Sequence, residues 1–372
     1  MRIVIVGGGV LGTMHAWCAV RRGHQVRHLE RELEARAASV RNFGLVWVGG
    51  RAPGVELDTA LRARELWARI ATEVPGVGFR ANGSLTVLRS AAELAVAEQV
   101  VGRDDARRRG FTLLTAAQTV ARNPALGGEL LGALHCGLDA AVESRVVLPA
   151  LRARLAESGR YSWLPGREAR DVDRAGVRDD HGDRHAGDLV LLCPGAALAG
   201  LVRELATDLP LRRVRLQMMQ TEPFEQALTT SVADGDSLRY YPAYRGSALD
   251  ELTANSPQAP IAAAHAMQLL MVQRLDGGLT IGDTHGYTEP FPFDLREEPY
   301  QHLVSVAEAL LGRRLPPVRQ RWAGVYAERT DTGHIALRQQ VANGVFLITG
   351  PGGRGMTCSP AIAESTTEEL QL

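Results

Sequence analysis

A chain of 372 residues is longer than one ordinary core, so two structural units, or one large unit with an insertion, are expected. With 42 basic and 42 acidic residues the formal charge is zero, which gives no electrostatic reason for a nucleic-acid partner, and no apolar stretch is long enough to span a membrane. Every one of the 42 basic residues is arginine, which excludes a Schiff-base lysine, a Walker lysine and a lysine general base.

Residues 2 to 6, RIVIV, form a short β-branched run of the kind that makes a buried parallel strand. Gly7-x-Gly9-x-x-Gly12 follows, then a helix over Thr13 to Arg22 closed by Gly23, then QVRHLE, a second strand ending at Glu30. Gly7 permits the tight turn, Gly9 lets backbone approach a pyrophosphate, and Gly12 lets helix and strand pack closely. The helix N-terminus offers N–H groups to phosphates. Glu30 stands where an acid accepts hydrogen bonds from a ribose diol. The pattern predicts dinucleotide binding, and by itself it fits NAD and FAD equally.

After Glu30 an arginine-rich stretch runs into SVRNFG, residues 39 to 44. Residues 56 to 74 predict a helix, with Leu57, Leu61, Leu66 and Ile70 near helical spacing. GSLTVL (83 to 88) predicts a strand opening a new sheet, and Ser90 to Gly110 a helical segment whose arginines form a solvated face. Another helix is expected over 142 to 158, and DLVLLCPG (188 to 195) reads as a strand ending in a tight turn. From Leu209 to Trp322 the runs RRVRLQMMQTEP, SLRYYPAY, QLLMVQRL and GLTIGDTH predict an antiparallel sheet rather than further βαβ units. A long helix, EPYQHLVSVAEALLG, is expected next. The buried strand of NGVFLITG then leads into a second glycine turn, GPGGRGMTC, and a last helix opening in SPAIAES.

Cys18, Cys136, Cys193 and Cys358 show no metal-ligand spacing, and their scatter fits a reducing cytoplasm better than secretion. The apolar start is interrupted by glycines too early for a signal peptide.

The Gly7–Glu30 unit, DLVLLCPGA and a late strand entering GPGGRGMT together resemble the D-amino acid oxidase superfamily, over essentially residues 1 to 370. The resemblance implies a mixed α/β and α+β fold. A Rossmann-like FAD-binding domain with a parallel sheet (1–80, 142–208 and 322–372) would interleave with a substrate domain built on a large antiparallel sheet (81–141 and 209–321). SVRNFG, IGDTHGY (281 to 287) and RWAGVYA (321 to 327) are similar to the branch associated with breakdown of 2-aminoethylphosphonate and its N-alkyl relatives.

By this resemblance Gly7, Gly9, Gly12 and Glu30 take the ADP half of FAD. Arg31, Ser39, Arg41 and Asn42 match the stretch beneath the pyrophosphate, Val172 meets the adenine through its backbone, and Gly195 closes a strand turn beside the cofactor. Gly353, Arg354, Gly355, Met356 and Thr357 would present backbone to the flavin pyrimidine. A helix N-terminus aimed at the N1/O2 edge favours the negative charge a reduced flavin carries there. No cysteine falls where the sarcosine-oxidase branch attaches its flavin, so FAD is expected to be noncovalent. That branch's oxygen-activating lysine has Thr280 near its place, which leaves oxidase and dehydrogenase both open, with O2 or another electron acceptor.

Many amino-acid oxidases of the superfamily grip the substrate carboxylate with an arginine in a turn comparable to VYAERTDTGHI; here Tyr326 takes its place and Arg329 follows three residues later. An ordinary α-amino acid is thereby a poorer expectation, and a phosphonate anion would need Arg239, Arg245 or Arg329. His285 in GDTHGY is the candidate titratable group, and Tyr240, Tyr241 and Trp47 are candidate pocket walls for an amine. The expected function is oxidation of the C–N bond of a small polar amine, with hydride passing to FAD. D-amino acid dehydrogenase or glycine oxidase activity, an NAD-dependent reductase, and a flavin-carrying subunit of a larger complex are alternatives, and a homo-oligomer is possible.

Overall fold

The computed structural model describes residues 1–331 and 333–372. Its architecture is mixed α/β, with a parallel Rossmann-like sheet beside a large antiparallel one. The first sheet has six strands in the order Leu337–Ala342, Val345–Thr349, Leu189–Leu192, Arg2–Val6, Gln25–Glu30 and Tyr161–Pro165, all parallel except the first. Its apolar runs alternate between two cores. Ile3, Ile5, Leu191 and Ile348 face a layer of helices carrying Met14, Trp67 and Leu151. Val4, Val190, Leu192 and Leu347 face Val172 and Val177 of a small three-stranded sheet. Burial on both faces explains why these strands read as continuous apolar runs.

The helix layer is Val10–Arg21, Val55–Glu73, Val147–Ala156 and Gly355–Glu369. Glu56 and Asp58 in the first turn of Val55–Glu73 favour its positive end. Pro360 lies inside the last helix and has no N–H to give the Met356 carbonyl. Trp67 fills the gap: its fully buried indole N–H donates to Met356 O at 3.0 Å and to Thr357 O at 3.2 Å.

The second sheet has eight strands, in the order Val318–Arg329, Leu211–Pro223, Gly278–Gly282, Leu270–Gln273, Ser231–Ala233, Ser84–Leu88, Gly132–Cys136 and Phe111–Thr115. One face packs on the helix Glu297–Leu311 through Tyr300, Leu303, Ala307 and Leu310. The other carries Met218, Leu270 and Val272 against Phe43, Trp47, Tyr241 and Tyr244. The strand Val318–Arg329 pairs along its length with Leu211–Pro223. The domain boundary expected at 322 therefore falls inside this strand, and residues 322–329 lie in the larger sheet.

SLRYYPAY is not a strand. Ser237–Tyr240 is one helical turn and Pro242–Tyr244 a 3-10 turn. Its aromatic residues have strand propensity, but here they pack into the core from turns, and Pro242 cannot donate to a ladder. The segment from Ser90 to Gly110 is two helices, Ala91–Val101, opened by a Ser90–Glu93 capping box, and Ala106–Arg109. Among the described residues no helix is long and apolar enough to cross a membrane.

Candidate active site

Two helices begin at the same edge of the parallel sheet: Val10–Arg21 after the strand Arg2–Val6, and Gly355–Glu369 after the strand Val345–Thr349. Neither start is capped by its own N-cap side chain. This is the carboxyl edge of the strands, where open α/β sheets bind their ligands.

The first turn is built on close backbone approach. Gly7 has a φ of +107°, and a side chain there would stand 2.2 Å from the Cys193 carbonyl oxygen. A Cβ on Gly12 would lie 2.0 Å from the Gly7 carbonyl oxygen. Gly9 is different: its Cβ would meet only Ser39 Oγ, at 3.0 Å, which leaves its outer side open to a ligand. That Ser39 hydroxyl accepts the Val10 N–H at 2.9 Å, capping the helix from a distant loop. His28 locks the turn from behind, with Nε2 2.9 Å from Gly7 O and Nδ1 2.9 Å from the Tyr161 hydroxyl. A carbonyl only accepts, so Nε2 carries the proton and Nδ1 accepts from Tyr161. Burial lowers the His28 pKa to about 4.

Glu30 ends its strand beside this turn, accepting the Gly8 N–H at 2.6 Å and the Glu32 N–H at 3.0 Å. Asn42 holds the Ser39 loop, donating to Ala38 O and Ser39 O at 2.9 Å while its Oδ1 accepts the Gly44 N–H at 2.7 Å. Arg41 ties the loop to the larger sheet by donating to Ala323 O at 2.7 Å. Arg31 is exposed, 3.8 Å from Glu32. Val172 lies on an outer strand of the three-stranded sheet, where one backbone edge is free of ladder bonds. Gly195, at φ +62°, accepts from Thr349 Oγ1 at 2.6 Å, joining the turn after Leu189–Leu192 to the last parallel strand.

The second turn is positioned by side chains. Thr357 donates to Leu45 O at 3.2 Å and accepts the Trp47 N–H at 2.9 Å, fixing segment 45–47 against the last helix. Arg51, buried, donates to Trp47 O at 2.8 Å and to Thr357 Oγ1 at 3.3 Å. Arg354 reaches Glu56 at 3.1 Å, and Met356 is buried beneath it. Gly353 is less confined than Gly12: its Cβ would meet the Tyr326 hydroxyl at 3.9 Å.

A run of rings starts at Trp47, beside the same turn. Trp47 lies 5.6 Å from Tyr241, Tyr241 meets Tyr240 edge-on at 5.0 Å, and Tyr240 stacks on His285 at 4.4 Å. Burial pushes the Tyr240 and Tyr326 phenols well above their usual pKa, so both are neutral donors. His285 is buried, with Nδ1 2.9 Å from the Ala266 carbonyl oxygen. Nδ1 therefore donates, and in the neutral ring Nε2 keeps a lone pair.

Arg329 does not join this group. It is on the opposite face of its strand from Tyr326, with Nε 2.6 Å from Asp331 Oδ1 and Nη1 3.3 Å from Ala336 O. Arg239 is engaged by Asp236, Thr253 and the Leu252 carbonyl, and Arg245 is exposed. The residue that sequence reasoning passed over is Asp283, inside the same GDTHGY motif. It is buried, its Oδ2 is 3.8 Å from His285 Nε2, and its Oδ1 has no partner. A groove of about 320 Å³ between helices Val10–Arg21, Val55–Glu73 and Gly355–Glu369 lies at the ends of these helices remote from both turns.

A family model described as FAD dependent oxidoreductase matches residues 2–369. The chain belongs to this family. Among curated relatives of this FAD dependent oxidoreductase, a subunit of the opine oxidase of Rhizobium meliloti is 26% identical over 240 residues, covering 61% of this chain. The match spans 64% of that relative's length, a little under two thirds. Among solved structures, glycine oxidase from Geobacillus kaustophilus superposes with a TM-score of 0.78 at 19% identity, over 100% of this chain and 95% of that one. Iminodiacetate oxidase from a Chelativorans species gives 0.75 at 18%, over 98% and 93%. At these identities the likeness speaks for the fold.

The residues fit FAD. The open side of Gly9 and the start of Val10–Arg21 suit the pyrophosphate, the Glu30 carboxylate suits a ribose, and the uncapped start of Gly355–Glu369 suits the flavin's electron-rich edge. The buried Trp47 Nε1, a donor with no partner, lies in the wall beside the second turn.

Proposed function

We propose that this flavoprotein oxidises the C–N bond of a small polar amine, amino-acid-like or aminophosphonate, in the cytoplasm. The observation that carries the reading is the run of rings Trp47, Tyr241, Tyr240 and His285, with the Tyr326 hydroxyl facing Gly353 of the second glycine turn. Aromatic faces and a buried imidazole suit an amine and keep water from it. Opine oxidase, glycine oxidase and iminodiacetate oxidase are all named for oxidising amino acids or their N-substituted relatives, which supports the same class of substrate. The four free cysteines, three of them buried, are consistent with a reducing compartment.

When bound, FAD supplies the redox chemistry by taking up a hydride equivalent from the carbon beside nitrogen. The protein's own part is acid–base and electrostatic. His285 Nε2 accepts the proton that an ammonium must lose before its nitrogen lone pair can assist. The start of Gly355–Glu369 would stabilise negative charge at the pyrimidine edge of a bound flavin. The resulting imine hydrolyses to a carbonyl compound and an amine or ammonia.

An aminophosphonate would bring an anion as well, and Arg239 and Arg329 are both held by protein acceptors. The opine oxidase likeness favours a second reading, in which the chain is the flavin-carrying subunit of a larger assembly.

Anaerobic mixing tests the proposal. Glycine, N-methylglycine, D-alanine, iminodiacetate, 2-aminoethylphosphonate, its N-methyl derivative and simple secondary amines are added to the FAD-loaded protein, and the flavin's visible absorption is followed. Bleaching by an amine of this panel is expected. No bleaching by any of them sinks the reading, and faster bleaching by α-amino carboxylates than by aminophosphonates removes the phosphonate version.

A further inference from the structure

Asp283 is a carboxylate in an improbable place. It is only 6% exposed and, among the described residues, no arginine lies within ion-pair distance of it. Its main chain is well used: the N–H donates to Gln268 O at 2.9 Å, and its neighbour Thr284 accepts the Gln217 N–H at 3.0 Å. The side chain is not. Among the described residues Oδ1 has no hydrogen-bond partner, the Gln268 side chain stands beside the carboxyl, and His285 Nε2 lies 3.8 Å from Oδ2, beyond hydrogen-bond length. A buried carboxylate in this state costs several kcal/mol, and burial raises the Asp283 pKa accordingly; an arriving donor or cation offsets that cost.

The surroundings favour a cation. His285 is held between Tyr240, at 4.4 Å, and Tyr287, at 6.3 Å, with the rings nearly parallel. Tyr240, Tyr241, Tyr287 and Tyr326 each have their pKa raised, by burial first and by the Asp283 charge in addition. All four phenols therefore stand within electrostatic reach of this one carboxylate. The nearest outer charges cancel one another, since Arg212 donates to Glu328 at 2.6 Å and covers the Tyr287 ring at 4.4 Å. What remains is a carboxyl group among aromatic faces whose pKa burial raises, so that an arriving ammonium is the charge that would hold it ionised.

We infer that Asp283 receives the substrate by its nitrogen: the site reads a small amine as an ammonium ion, by charge, and needs no carboxylate on it. This rests on the reading that amine oxidation takes place here. The step balances simply. An N–H bond of the ammonium breaks, an O–H bond forms on Asp283 Oδ1, and the nitrogen keeps its electron pair. The proton reaches His285 Nε2, whose ring is anchored through Nδ1 on Ala266 O, when the carboxyl turns and the 3.8 Å separation shortens to hydrogen-bond length, and bound FAD would take the hydride pair. Asp283 and His285 together neutralise the amine without a lysine, which this chain lacks.

Ligand binding to the FAD-loaded protein tests the assignment without turnover. Choline and its uncharged carbon isostere 3,3-dimethylbutan-1-ol are titrated against wild type and Asp283→Asn, and perturbation of the flavin's visible spectrum is followed. Wild type is expected to bind choline ~10- to 100-fold more tightly than the alcohol, the span set by one charged contact, and Asp283→Asn to lose that preference. Equal binding of the two ligands by wild type, no choline binding, or a preference unchanged in Asp283→Asn overturns the assignment. Should Asp283→Asn fail to hold FAD, the wild-type comparison decides alone. Flavin bleaching by amines is scored separately. Bleaching without a choline preference sinks the Asp283 role and leaves the proposed function standing; a choline preference without bleaching does the reverse.

Discussion

The two sides of the cofactor site are made of different material. The dinucleotide floor is backbone: Gly7, Gly9 and Gly12 within one turn, a helix start, and a strand-end acid, contributed by residues 7 to 30. The proposed substrate wall is side chains, and they come from four remote segments around Trp47, Tyr240, Asp283–His285 and Tyr326. A floor of backbone tolerates almost no added atom, whereas a wall of rings can be edited without losing the cofactor. That separation predicts which substitutions cost FAD and which cost only chemistry.

The largest effect belongs to the floor. Gly12→Ala puts a methyl group 2.0 Å from the Gly7 carbonyl oxygen, an overlap costing on the order of 3 kcal/mol or more, and the purified protein should carry almost no flavin. Gly353→Ala meets no protein atom closer than 3.9 Å and should lose less flavin. Equal flavin-to-protein absorbance ratios in the two variants break the contrast. On the wall, His285→Ala should slow flavin reduction by ~10²-fold or more with FAD unchanged. An unaltered rate removes the imidazole from the chemistry.

Acid should attack the floor before the wall. His28 is buried, and its pKa is lowered from 6.5 to about 4. The native state thus binds fewer protons than the unfolded one, so its contribution, about 3 kcal/mol, is complete above pH 6.5 and is lost as pH falls toward 4. FAD fluorescence should rise over that interval, and His28→Gln should flatten the profile; an identical profile in the variant assigns acid release elsewhere. The smallest effect is Asn42→Ala, which frees the Ser39 loop from three hydrogen bonds and should lower stability by about 1–2 kcal/mol in thermal melts. A melting temperature equal to wild type would leave the Asn42 bonds without energetic weight.

The floor was legible because its cause is local. Glycine spacing, a β-branched run and one acid are read from adjacent letters, although the helix start takes its cap from the distant Ser39. The wall was legible only in part. Resemblance pointed to Tyr326, and residue chemistry to Tyr240 and His285, but their convergence depends on the strand Val318–Arg329 crossing to the larger sheet. SLRYYPAY misled because aromatic residues carry strand propensity into any buried setting. Asp283 passed unnoticed because a carboxylate beside glycine and threonine reads as an exposed turn, and burial has no letter of its own. Arg329 drew attention as a cation near the expected clamp; strand alternation alone would have put it on the other face from Tyr326.

The parallel ladder that pairs Val190 with Val345, and Val190 in turn with Val4, makes the cofactor more than a reagent. Both glycine turns hang from this ladder, and closing it brings together positions hundreds of residues apart, an entropic cost that grows only with the logarithm of the loop. FAD, touching both turns, would act as a noncovalent crosslink between the earliest and latest strands. Its affinity would then appear as folding stability, rising with free flavin concentration as RT ln(1 + [L]/Kd). Flavin supply would thereby set how much of this chain stays folded as well as how much of it is active.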